Sequence, residues 1–241
     1  MTVKLEEIAE KGKLKVKGRK ARSARGLQAR KKLKEATEKV LERVGYHKMR
    51  VVDVTQEAGV ATSLFYHYFP DLKSIALEVL TDFVKELEAF GEIEQGISKN
   101  DWYGRILAHN RLYVDKYASH PGIMRCLLQV SDEVPEFDVL FRESTVRQVK
   151  SMANSIIQMY PEARLSEEET ILFVYSVAGI AEMLLRGYYI SKDSALTSKP
   201  VTNAEVAELL SVVMYRALFL ESPPSNKLHY ARKLEKVVGS R

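Results

Sequence analysis

A chain of 241 residues with an apolar fraction of 46% has enough hydrophobic mass for one large body, or for a small head on a larger one. Seven prolines and twelve glycines are few for this length and disfavour an all-β architecture, while the single cysteine, Cys126, excludes an intramolecular disulfide and a multi-cysteine metal site. The net charge of +5 hides an asymmetry: residues 11–34 carry twelve Lys or Arg and no acid, which leaves −7 on the rest of the chain. A basic end on an acidic body fits a polyanionic partner, nucleic acid first, although charge alone does not separate that from a solvated, solubilising tail.

The first residues, Met1 to Glu7, contain no apolar run of the secretory type. One thiol suits a reducing compartment, so a cytoplasmic protein is expected. The longest uncharged stretch in the body, Thr170 to Ala181, is short of the roughly 20 residues a membrane span needs, and no membrane partner is expected.

Residues 1–26 read as a basic, disordered arm with too little apolar mass to bury. Leu33, Ala36, Val40, Leu41 and Val44 then recur at helical spacing, with Gly45 suited to the C-terminal cap. A short helix is expected over Met49 to Ala58 and another over Ala61 to Tyr68, with Gly59 in the turn between them. Asp71 is placed to cap a long fourth helix through Ile75, Leu80, Phe83 and Leu87.

Beyond it, helices are expected over Asn100–Ala118, Ile123–Val130 and Pro135–Tyr160. The capping boxes Ser166-x-x-Glu169 and Thr202-x-x-Glu205 open two more, to about Ile190 and Leu220. The fold class is therefore all-α: a three-helix head over 27–72, a helical body over 73–221 and a basic tail over 222–241.

The third helix carries the functional signal. With Phe65 at the centre of its buried face, Tyr68 and Phe69 fall beside it at about 100° per residue. Ser63, Tyr66 and His67 then face outward, a polar and aromatic edge without an acid, suited to a groove lined by phosphates. An outward aromatic is in general more often packing than recognition, but the run Phe-Tyr-His-Tyr-Phe directly after Ala-Gly-Val weighs against that here.

The stretch Ala58-Gly59-Val60-Ala61-Thr62-Ser63-Leu64-Phe65-Tyr66-His67-Tyr68-Phe69 resembles the signature of the TetR/AcrR family of bacterial transcriptional regulators, usually A-G-V-S-x-x-x-L-Y-x-Y/H-F. The preceding Arg50-Val51-Val52-Asp53-Val54-Thr55 matches its x-V-x-D-I-A helix. The resemblance implies a homodimer with a ligand-binding body, and by position it implies DNA contacts from Arg50, Thr62, Ser63, Leu64, Tyr66 and His67. Tyr66 matches a tyrosine that commonly bonds a phosphate.

Three departures stand out. Ala61 replaces the usual N-cap serine, and Leu64 can touch a thymine methyl but cannot hydrogen-bond a base. The family's phosphate-binding lysine falls at Leu72, with Lys73 one position later as the candidate for that role. From the basic arm, Arg25 and Arg30 are further candidates for phosphate or the minor groove.

The helix over Glu169–Ile190 is apolar nearly all round, as expected of a helix buried in its own core and against a second subunit. A homodimer through helices of about 166–190 and 202–220 would present two heads to a palindromic operator in double-stranded DNA. For a small-molecule effector the candidate lining is Trp102, Ile106, Tyr113, Met124, Leu127, Phe141, Met152, Tyr175 and Met183, which suits an apolar or aromatic ligand. Such residues at helical spacing form plain core more often than pocket.

No catalytic residue, metal ligand or cofactor is expected. The five histidines include no i,i+4 pair, and no P-loop, H-E-x-x-H or G-x-S-x-G occurs. Asp132, Glu133, Glu136 and Asp138 read as acids complementing a helix N-terminus. A ligand-responsive repressor is the leading expectation. The rivals are a regulator of the same fold with a filled body, governed by a protein partner or by abundance, and a helical enzyme with a basic tail.

Overall fold

The computed structural model describes residues 24–88, 93–130 and 134–236. Most of the basic arm and the Asp132-Glu133 pair lie outside them. Among the described residues every regular element is helical. They run α1 (Ala24–Val44), α2 (Val51–Ala58), α3 (Thr62–Tyr68), α4 (Leu72–Leu87), α5 (Trp102–Ser119), α6 (Pro121–Val130), α7 (Pro135–Met159), α8 (Glu167–Leu185) and α9 (Asn203–Phe219), with a helical turn at Ser194–Thr197. Helix α1 is already formed at Ala24, the first described residue and earlier than the start expected near Leu27, and it runs through Gly26 despite that residue's low helix propensity.

Two compact units divide these residues, 24–86 with 122–145, and the remainder. In the first unit α1 buries Leu33, Ala36, Val40 and Leu41, and α4 buries Ile75, Ala76, Val79, Leu80, Phe83 and Val84. The Thr37 hydroxyl, fully buried, is satisfied by donating to the Leu33 carbonyl at 2.8 Å. Ion pairs Arg30–Glu78 and Lys34–Asp82 join α1 to α4. As expected, the Asp71 carboxylate caps α4 by accepting from the Ser74 N–H at 2.7 Å.

Helix α6 packs on α1 through backbone. Glu42 accepts from the Gly122 and Ile123 N–H groups at 2.8 and 2.9 Å, so a carboxylate meets the positive end of α6. Gly122 is required there: a Cβ on it would lie 2.1 Å from the Glu42 carbonyl oxygen. Gly122→Ala should therefore push α6 off α1 at a cost of about 2 kcal/mol, read as a lower urea midpoint with an unchanged slope. Cys126 is buried in α6, and burial pushes its thiol up to about 11, which makes it an inert core residue.

In the second unit α5 is capped by Asp101, which accepts from the Gly104 N–H at 2.9 Å. Both capping boxes form as read, at Ser166/Glu169 and Thr202/Glu205. Helix α8 ends in a π-helical turn, Arg186–Ser191.

The segment expected as a basic tail is instead folded onto the body as 3-10 turns at Ser225–Lys227 and Ala231–Lys236. Leu228 and Ala231 are buried with Tyr103 and Val212. Glu208, only 3% exposed, clamps this strap: its Oε1 accepts from the His229, Tyr230 and Ala231 N–H groups at 2.9, 2.6 and 2.7 Å. Glu208→Ala takes the acceptor from three backbone donors, one of them buried, and a loss of about 2 kcal/mol is expected, with faster amide exchange confined to the strap. Unchanged stability would show that the strap does not hold.

Candidate nucleic-acid interface

Helices α2 and α3 are joined by a turn that depends on Gly59, whose φ of 64° lies in the left-handed region. The Gly59 N–H donates to the Gln56 carbonyl at 3.1 Å and the Val60 N–H to that of Thr55 at 3.0 Å, closing α2 and starting α3 within a few residues. Ala61, the α3 N-cap, makes no side-chain cap, which forgoes roughly 1 kcal/mol.

Phe65 and Phe69 are fully buried and Tyr68 nearly so, whereas Thr62, Ser63, Tyr66 and His67 are exposed and Leu64 is half-buried. The two outward rings are braced from behind. Tyr66 stands edge-on to Phe65 with centroids 5.4 Å apart, and His67 edge-on to Tyr68 at 4.8 Å. Rings already held in place lose less conformational freedom when they meet a ligand.

The cations around this edge are partly committed. Arg50, the extended N-cap of α2, is bound bidentately by Asp53, at 3.1 Å from Nε and 3.0 Å from Nη2, while Asp53 also accepts from the Arg50 backbone N–H. The Arg50 guanidinium holds the Asp53 carboxyl below its usual range. Arg30 is paired with Glu78 and lies 4.9 Å over the Phe69 ring, so it anchors the back of the head. Lys73 binds Glu136 at 2.7 Å. Arg25 is exposed on α1.

Asp53 was legible as an i,i+3 neighbour of Arg50, as in a capping box. Nothing in the sequence pairs Lys73 with a residue as distant as Glu136.

The expected ligand-lining residues do not share one environment. Met124 and Leu127 are buried in the first unit and Phe141 is half-buried there. In the second unit Ile106 is buried, Tyr113 donates its hydroxyl to Gln148 at 3.2 Å, and Met152 packs on the cluster of Val149, Ala153, Ile156 and Val174. Tyr175 and Met183, expected to face inward, are 43% and 77% exposed. Helix α8 buries only Thr170, Val174, Val177 and Leu185, so one face meets its own unit and most of the remaining surface is open.

A cleft of about 380 Å³ is lined by Glu94, Lys99, Asn100, Trp102, Arg105, Ser155, Gln158 and Met159, and Trp102 alone of the expected residues reaches it. Arg105 lies 4.5 Å over the Trp102 ring and donates to Glu94 at 2.9 Å.

The open face of α8 presents Leu172, Phe173, Tyr175, Ile180 and Met183. By length and composition alone, Glu167–Ser191 could cross a membrane. It opens on three glutamates and carries Glu182 and Arg186 exposed, which a hydrocarbon environment penalises.

A chain whose described elements are all helical, and whose short second and third helices meet at a left-handed glycine with a polar and aromatic edge turned out, has a helix-turn-helix head. Residues 33–79 match the family described as bacterial regulatory proteins, tetR family. A relative, the uncharacterized HTH-type transcriptional regulator YdgC of Bacillus subtilis (strain 168), is 29% identical over 87 residues, 35% of this chain and 45% of its own length. The chain thus aligns with less than half of that relative.

Among solved structures, a TetR-family transcriptional regulator from Bordetella parapertussis 12822 superposes with a TM-score of 0.58 at 19% identity, covering 83% of this chain and 97% of its own. The fatty acid degradation regulator FadR from Bacillus halodurans gives 0.59 at 13%, covering 79% and 95%. A protein from Saccharomonospora viridis solved in complex with choline gives 0.59 at 19%, covering 76% and 93%. The head thus matches the tetR family over residues 33–79, and the helical fold resembles that of solved TetR-family regulators.

Proposed function

We propose that this chain is a cytoplasmic, homodimeric transcriptional repressor that reads a palindromic operator through the outer edge of α3 and is released by a small, largely apolar or aromatic effector. The observation that carries the reading is the orientation of α3: Ser63, Tyr66 and His67 outward, with Phe65 and Phe69 anchoring it behind. Thr62, Leu64 and Arg50 complete the base- and phosphate-facing set, with Lys73 and Arg25 as flanking cations. Arg30 acts from behind, through the ring it covers.

The open apolar face of α8 supports a two-fold dimer, which sets two heads about 34–36 Å apart, one turn of duplex. No enzymatic activity is assigned. The effector would act by favouring a dimer whose heads are wrongly spaced. A differential affinity of about 5.5 kcal/mol turns a 1:99 population into 99:1. That a fold relative holds choline supports a body able to take a small molecule.

A second reading, regulation by a protein partner with a filled body, is favoured by the strap that packs Leu228 against Tyr103 and Val212.

The test is selection of duplexes from a randomised pool by the full-length protein. Enrichment of an inverted repeat with half-sites one turn apart supports the reading, and no enrichment overturns it. Thermal stabilisation across a panel of hydrophobic metabolites then separates effector control from partner control.

A further inference from the structure

The cation next to the recognition helix is already occupied by an intramolecular anion. Lys73, in the first turn of α4, holds Glu136, in the first turn of α7, at 2.7 Å. The pairing is between charged forms: Glu136 raises the Lys73 ammonium above its usual range, and Lys73 holds the Glu136 carboxyl below its own. Asp71 and the Tyr46 hydroxyl also face Lys73, and Asp71 adds to the same bias.

The two partners differ in freedom. Glu136 is fixed by its neighbour Phe137, which is fully buried with Tyr46 edge-on to it at 5.4 Å. Lys73 has a long, half-exposed side chain that can swing.

We propose that Glu136 is a built-in competitor of DNA, occupying Lys73 in the free protein and giving it up to a backbone phosphate on binding, so that the docking of the α7 N-terminus and DNA affinity are set against each other. This rests on the regulator reading above. A carboxylate at that place also has a graded consequence: any displacement of the α7 N-terminus that carries Glu136 away from Lys73 raises affinity for DNA.

The test uses the full-length protein and a mixed-sequence duplex, because phosphate contacts operate without an operator and appear in the salt dependence. Glu136→Gln, and as a second variant Glu136→Ala, should tighten binding about fivefold at low salt. Lys73→Gln should weaken binding and lower the salt slope by about 0.9 for each head. In the Lys73→Gln background, Glu136→Gln should have little further effect.

An equal gain from Glu136→Gln with and without Lys73 would mean general charge repulsion and overturn the proposal. So would a salt slope unchanged in Lys73→Gln, which would leave the pair a structural tie. If the unsubstituted protein binds no duplex, the regulator reading itself fails. If it binds and the Glu136 variants match it, only this competition fails.

Discussion

Replacing Tyr66 by Ala is expected to weaken operator binding about a hundredfold while leaving the melting temperature unchanged. The ring is 57% exposed and lies outside the head's core, so its removal should cost within about 0.5 kcal/mol of stability. Against DNA, a hydrogen bond to a charged phosphate is worth about 1.5 kcal/mol, and a two-fold dimer loses it at both half-sites. Tyr66→Phe, which keeps the brace against Phe65 and removes only the hydroxyl, should lose most of the same affinity.

His67→Ala should act in the same direction. Titration of the selected duplex by fluorescence anisotropy, beside thermal melts, reads both quantities. Full affinity in both Ala variants would remove the α3 edge from recognition.

Leu172→Glu or Met183→Glu is expected to give a folded monomer that binds the same duplex about 10²- to 10⁴-fold more weakly. The side chains are 70% and 77% exposed on an apolar face, so a charge there harms association and not the fold of the single chain. Splitting the dimer removes the effective concentration that makes the second head bind once the first has docked. Sedimentation of variant and unsubstituted protein, followed by the same titration, measures both effects. A dimer that survives both charges would place the interface elsewhere, and unsubstituted protein that co-pellets with lipid vesicles would assign the α8 face to a membrane.

Much of the head was legible in the sequence. Gly59 in the turn, the Asp71 cap and the alternation of Phe65 with Tyr66 and His67 are local features, decided by backbone dihedrals and a period of about 3.6 residues. The capping boxes of α8 and α9 belong to the same class. The body was less legible. Tyr175 and Met183 share apolar character with Val174 and Val177, yet the first two are open and the others buried. An apolar helix records that its faces are to be covered, but not which are covered by its own chain.

The position of α3 and the direction in which its side chains turn could be read from local residues, because those outcomes depend on neighbours within a turn or two. Tertiary structure alone decided that Lys73 meets Glu136, that Glu42 caps α6 and that Glu208 draws the C-terminal strap onto the body. Each of these joins groups far apart in the chain. A charged side chain finds its partner only after the packing of apolar faces has fixed where helices cross, and that packing is a property of the assembled core, not of any one segment.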